Sequence, residues 1–465
     1  MGGPTSGATA TSPARELARA VRTGQVASRE LLDLYLDRIE RLNPAINAVV
    51  TLDVERARAA ARRADEATAM STGEDLGPLY GLPITVKDAI ATEGIRSTGG
   101  STQLADHVPA EDAPAVARLK EAGAIVFGKT NLPEWSGDLQ SFNDVFGTTN
   151  NPWDRSRTPG GSSGGAAAAT VAGLTSFELG TDIGGSIRIP AHFCGAFGLK
   201  PSFGVVPQRG YLDHPAGGTI DADINVFGPI ARSADDLELL LDVLAGPPPE
   251  LRAAWRIDLP RAALREPAGL RVAVWFDDEA HPVQREYRAL LGRAADALAD
   301  DGAKVEEACP PVDAEAQRAL FSAMILAAII HSHPAEAHAL AGTHAAWLDN
   351  ARARAELQRQ WAAWFEGYDL LLLPVAPTPA IAHDHEGDLT GRVIEMDGTT
   401  IAYLEAIAWT GLVGIVGLPA AVPPIGRTEA GLPVGVQVVA PYLHDHQAIA
   451  GARLLGTYTV PPGFE

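Results

Sequence analysis

Two serines and one lysine carry the chemistry that this sequence points to. Ser162 lies inside Gly160-Gly-Ser-Ser-Gly-Gly165, and Ser186 closes Gly180-Thr-Asp-Ile-Gly-Gly-Ser186. Glycines at this density let bare backbone amides approach a reacting group that any Cβ would keep away. The second run presents consecutive small residues ending at a hydroxyl, the arrangement expected of a nest that binds an oxyanion. A serine hydroxyl is a weak nucleophile until a base takes its proton. Lys87, in Gly81-Leu-Pro-Ile-Thr-Val-Lys-Asp88, is the candidate base. Gly-Ser turns are common in loops, and lysines are common on surfaces. Lys87, however, follows the mostly apolar run 82–86, which carries it into a core. Burial there would depress its pKa from about 10.4 and leave it neutral.

The elements that must position these residues read as alternating α and β. Residues 12–66 have a helical pattern, with Ser12 and Pro13 suited to an N-cap and first turn and Ser28 to a second N-cap. In the second helix Leu31, Leu32, Tyr35, Leu36, Ile39 and Leu42 share a face, and Asn43-Pro44 is expected to end it. Short β-like runs at 84–86, 124–127 and 176–179 alternate with Gly-rich turns and helical stretches, which predicts an α/β sheet. A helix at 233–245 leads to a surface connection at 246–268. Beyond it, 270–275 reads as strand, 283–299 as helix and 312–366 as helical. Residues 370–374 and 435–439 read as buried strands, and 446–455 as the last helix.

Composition narrows the function classes. Lys plus Arg number 37 and Asp plus Glu 58, and the net charge of −21 argues against a nucleic-acid partner. Cys194 and Cys309 cannot make a disulfide framework, which fits a reducing compartment. The start Met1-Gly-Gly-Pro-Thr-Ser6 lacks the apolar core of a signal peptide and matches only the loose myristoylation pattern. The longest apolar run, 321–330, is about half of what a bilayer span needs. A cytoplasmic protein without a membrane segment is expected.

Three string matches mislead. Gly123-Ala-Ile-Val-Phe-Gly-Lys-Thr130 fits the P-loop expression, but its interior is a strand where a phosphate cradle needs a loop. Gly160-Gly-Ser-Ser-Gly164 fits the nucleophile elbow, yet the proline-broken 151–159 is no strand to lead into one. The pairs His331/His333, His383/His385 and His444/His446 have loop-like settings and no further ligand spacing, so solvated histidines are the better reading.

The chain resembles the amidase signature family. The resemblance rests on 81–88, on Pro159-Gly-Gly-Ser-Ser-Gly-Gly165, and on Gly180-Thr-Asp-Ile-Gly-Gly-Ser-Ile-Arg-Ile-Pro-Ala-His-Phe-Cys-Gly195. It continues through Gly198-Leu-Lys-Pro201, Gly228-Pro-Ile-Ala-Arg232 and Gly431-Leu-Pro-Val-Gly-Val-Gln437. It implies one α/β domain over 1–465, a mixed β-sheet core covered by helices on both faces. Within it, 1–79 would be an N-terminal helical part, 80–245 the catalytic core, 246–400 a variable pocket region and 401–465 a return to the core.

By the same resemblance Ser186 is the nucleophile, Ser162 the bridging serine behind a cis Gly161–Ser162 peptide, and Lys87 the base. The oxyanion hole falls on the amides of Ile183, Gly184, Gly185 and Ser186, and Ser163, Asp182 and Arg188 hold the two glycine turns together. No metal or organic cofactor is implied. The expected activity is hydrolysis of small neutral apolar amides, with aryl esters and carbamates as further candidates, by a monomer or homodimer. The rival reading is the glutamine-hydrolysing subunit of a tRNA-dependent amidotransferase. Tyr403-Leu-Glu-Ala-Ile-Ala-Trp-Thr-Gly-Leu-Val-Gly-Ile-Val-Gly-Leu-Pro419 departs from the Asn-rich form expected there. Trp347, Trp361, Trp364 and Phe365, with Met324, Ile325 and Ile329 upstream, are expected either to fill core or to line an apolar pocket.

Overall fold

Continuous apolar runs, with no polar alternation, build strands that are buried on both faces. The computed structural model describes residues 9–71, 75–262 and 266–465, so the reading of residues 1–6 lies outside the described residues. A small sheet contains β1 (Val49–Leu52), β2 (Pro83–Lys87) and β3 (Ile125–Thr130) in the order β1-β3-β2, with β2 and β3 parallel. A larger one contains β4 (Glu178–Asp182), β5 (Phe197–Lys200), β6 (Val226–Ala231), β7 (Arg271–Val274), β8 (Lys304–Glu307), β9 (Leu370–Leu373), β10 (Ala420–Val422) and β11 (Gln437–Val439). Its order is β8-β7-β9-β11-β10-β5-β6-β4, and only the β8, β7, β9 end is parallel. The exposed edge strand β8 is Lys-Val-Glu-Glu, charged as a protected edge should be.

Strand β9 shows how both faces are covered. Leu370 and Leu372 join the core that holds Ala448 and Ile449 of the helix Asp445–Leu455. Leu371 and Leu373 point the other way, into a core with Phe321, Trp361 and Leu412. The α/β class and the mixed sheet between helices are therefore as the resemblance implied. Among the described residues no helix is long and apolar enough to cross a membrane.

Several element ends differ from the sequence expectation, each for a local reason. The first helix is Ala14–Arg22 with Pro13 at its cap, because the Ser12 hydroxyl accepts from the Thr9 amide at 2.9 Å instead of capping. Ser28 is the first residue of Ser28–Ile46, and its hydroxyl donates to the Gly81 carbonyl at 2.6 Å. That helix also runs through Pro44, which in the last turn forfeits only one backbone bond. Asn47, at φ 51°, ends it, while Asn43 Oδ1 accepts from the Ala48 and Val49 amides. The P-loop-like string forms β3, with Gly128, Lys129 and Thr130 inside a buried strand.

Candidate active site

Lys87 is the last residue of β2, a strand whose five residues are all buried. Its Nζ lies 2.6 Å from Ser162 Oγ and 2.7 Å from Thr181 Oγ1. Ser162 sits just before the helix Gly164–Val171, and the Gly161–Ser162 peptide is cis. Gly161 has no room for a side chain: a Cβ there would stand 2.6 Å from the Asp138 carbonyl oxygen. Ser186 lies in the turn between β4 and the helix Arg188–Cys194. The Ser163 amide donates to the Ser186 carbonyl at 3.1 Å, which draws the two glycine turns together.

Exposure separates the three residues. Lys87 and Ser162 are 0% exposed and Ser186 is 6% exposed, so only Ser186 is open to an incoming molecule. Burial drives the Lys87 ammonium well below the ordinary lysine range, against the charge of Asp182 and the pull that an ionised Glu178 would add. The Ser162 and Thr181 hydroxyls stand against that amine. Each hydroxyl can accept a proton and donate one at the same time.

Asp182 organises the turn. Its Oδ1 accepts from the Gly185 amide at 2.9 Å, and its Oδ2 from the Ile187 amide at 3.1 Å. Arg188 grips the same carboxylate through Nε at 3.0 Å and Nη2 at 2.8 Å, with both side chains fully buried. Burial alone would raise the Asp182 carboxyl, but the Arg188 charge and hydrogen bonds more than offset this and hold it below its usual range. Arg188 Nη1 also donates to the Thr410 carbonyl and to Gln437 Oε1. Gly185 has φ 117°, and a Cβ there would meet Ile189 and Thr410 side-chain atoms at 2.9 Å. With the Gly185 amide bound to Asp182, the amides of Ile183, Gly184 and Ser186 remain as candidate oxyanion donors. Ser163 Oγ lies 3.3 Å from both the amide and the carbonyl oxygen of Thr181, so it ties the first turn to β4.

An Asp182→Ala change would strand a buried guanidinium. Losing one member of such a pair costs about 3–5 kcal/mol. We expect urea unfolding to show a loss of that size, with activity falling as the turn loosens.

A family model described as Amidase matches residues 30–341 and 327–449. The chain belongs to the amidase signature family. It is 36% identical to the A subunit of the glutamyl-tRNA(Gln) amidotransferase of Synechococcus sp. (strain CC9902) over 481 residues, 94% of this chain and 92% of that one. A solved structure described as an inhibitor-bound vestigial complex, tied to the origins of an s-triazine catabolic enzyme, superposes with a TM-score of 0.82. It is 30% identical and covers 96% of this chain and 98% of that one. A bacterial aryl acylamidase of the amidase signature family gives the same TM-score at 26% identity, covering 96% of each chain. This member of the family is thus an enzyme acting on amide C–N bonds.

The amidase fold brings Lys87, Ser162, Ser163, Asp182, Ile183, Gly184, Gly185, Ser186 and Arg188 into one region. Sequence reasoning missed Thr181 and Thr410. Thr181 had a signal, since it alternates with Gly180 and Asp182 on a strand; Thr410 had none, because it arrives from 222 residues beyond Arg188. Thr410 Oγ1 donates to the Gly184 carbonyl at 2.7 Å, which fixes the peptide beside a candidate oxyanion amide.

Half of the aromatic set of the variable region is core. Trp361 and Phe365 are buried in the core, and the Trp361 indole N–H donates to Gln317 Oε1 at 3.1 Å. Trp364 packs on Tyr368, and Trp347 on His344. Met324 is core too, whereas Ile325 reaches the site: a Cβ on Gly184 would lie 3.3 Å from Ile325 Cδ1 and 3.7 Å from Ile407 Cγ2. Among the described residues no group of His, Cys, Asp and Glu side chains is arranged to hold a metal ion.

Proposed function

We propose that this amidase hydrolyses small neutral amides bearing an apolar group, through an acyl-enzyme on Ser186. Lys87, held neutral, donates to Thr181 and presents its lone pair to the Ser162 hydroxyl. Ser162 gives its proton to Lys87 as it takes one from Ser186, whose oxygen attacks the carbonyl carbon. The oxyanion meets the amides of Ile183, Gly184 and Ser186; one such donor is typically worth about 3 kcal/mol of transition-state stabilisation. The proton returns through Ser162 to the leaving nitrogen as the C–N bond breaks. Water, deprotonated by the same relay, then cleaves the acyl-Ser186 ester. Aryl esters and carbamates pass through the same acyl- or carbamoyl-serine and belong to the same reading.

The observation that carries the substrate class is the setting of Gly184. Ile325 and Ile407 flank it, and the buried charges that hold its turn are already paired, Arg188 with Asp182 at 2.8 Å. An apolar wall with committed charges suits a neutral substrate. A site for free glutamine needs charged groups left open for its ammonium and carboxylate. On this reading the enzyme works alone, as a monomer or homodimer.

A second reading, the glutamine-hydrolysing subunit of a tRNA-dependent amidotransferase, is favoured by relatives of that name at 34–36% identity over more than nine-tenths of this chain. Purified protein alone, assayed on anilides, primary amides, aryl esters, carbamates and glutamine, separates the two. We expect anilide, ester or carbamate turnover to exceed glutaminase activity; the reverse order would select the second reading.

A further inference from the structure

Beneath the candidate base lies a carboxyl that the reaction above does not use. Glu178, the first residue of β4, is completely buried. Thr85 donates its hydroxyl to Glu178 Oε1, and the Thr85 amide is held by Thr175 Oγ1 at 2.9 Å. Thr85 stands two residues before Lys87 on β2, so the two side chains leave the same face of that strand. Glu178 therefore grips the strand of Lys87 at one point, while Thr181, three residues further along β4, receives the lysine itself.

We propose that Glu178 is a positioning residue for Lys87, present as a neutral carboxylic acid that anchors β2 through Thr85 without placing a negative charge under the base. The inference rests on Lys87 as the base. Its logic is electrostatic. In a water-free interior a carboxylate close to an amine favours the ammonium form, and an ammonium has no lone pair to offer Ser162. A protonated carboxyl of the same shape keeps the anchor and removes that penalty.

The surroundings fit a neutral acid. Glu178 Oε2 and Thr130 Oγ1 are both buried without a hydrogen-bond partner of good geometry, and Thr130 faces this carboxyl. A hydrogen bond between these two oxygens satisfies both whichever of them donates, and in the neutral acid the donor is Oε2. The charged groups around it are Lys87 on β2 and Lys129 on β3, and the neutral Leu179 amide on its own strand adds a hydrogen bond. Lys129 is not a dedicated counter-ion: its Nζ donates to the Ile90 carbonyl and to Thr92 Oγ1 at 2.8 Å. Burial lowers Lys129 to about 8, against Asp88 and Glu178. Burial also pushes the Glu178 carboxyl up to about 8, against the opposing pull of Thr85, Lys129 and Thr130.

The test compares Glu178→Gln, Glu178→Ala and Thr85→Val on a substrate turned over by the purified enzyme, reading kcat, KM and the acid limb of the pH–rate profile. Glutamine copies the neutral acid, so E178Q should keep kcat within about threefold and leave the acid limb in place. E178A and T85V should each lose at least about tenfold in kcat with KM within about twofold, because the reacting side chain is misplaced while the substrate pocket is intact. T85V supplies the answer if E178A does not fold. An acid limb displaced downward by a unit or more in E178Q would show that Glu178 is an anion sustaining the lysine's charge. Unchanged kcat in both E178A and T85V would show that it positions nothing. Either result overturns the proposal. Failure of the base assignment is read separately, in Lys87→Ala: a variant as active as the wild type would remove the reading on which this inference rests.

Discussion

A Ser186→Ala enzyme is expected to lose at least about 10⁴-fold in turnover and to keep its fold. The nucleophile has no substitute, because Ser162 is wholly buried while Ser186 alone is partly open. The fold should survive because the turn is held by backbone and by Asp182 instead of the hydroxyl: the Ser186 carbonyl still accepts from the Ser163 amide, and the Asp182–Arg188 pair is untouched. A thermal midpoint within about 2 °C of the wild type would establish this. Steady-state rates on the best substrate of the panel measure the loss.

Lys87→Ala should lose about 10²–10⁴-fold at pH 7, the usual worth of a positioned general base. The pH dependence distinguishes a base from a scaffold. Burial places the lysine well below its ordinary range, and it becomes protonated as the pH falls through that lowered value. Protonation removes the lone pair, and the wild-type rate declines on the acid side. The alanine variant lacks that limb and should regain activity as hydroxide rises. A wild-type profile flat down to about pH 5, with chemistry limiting, would contradict a neutral lysine base.

The sequence made the chemistry more legible than the pocket, and the reason is the range of the forces involved. Lys87, Ser162 and Ser186 each sit in a short run whose glycines or apolar neighbours determine their own surroundings. Thr410 and Gln437 reach Arg188 across more than 200 residues of chain, and no local pattern announces such a meeting. The aromatic residues on 344–364 show the same limit from the other side. Helical spacing establishes that Trp361 and Phe365 face something apolar, but a packed core and an open cleft impose the same spacing. Of that apolar set it is Ile325, from the neighbouring helix Ala314–Ile329, that comes near Gly184. Helix ends departed from expectation at Ser12 and Ser28 because their hydroxyls are engaged elsewhere, and at Pro44 because a proline in the last turn forfeits only one backbone bond. The strands were easier, since continuous apolar runs such as 370–373 admit few alternatives.

Where the acyl group attaches is the most direct test of the proposed mechanism. The purified enzyme should be treated with a slow aryl ester or an activated carbamate, digested, and mapped by mass spectrometry. A single adduct is expected on Ser186, absent from Ser186→Ala and strongly slowed in Lys87→Ala. An adduct on Ser162, or one that persists in Ser186→Ala, would contradict the assignment of Ser186 as nucleophile.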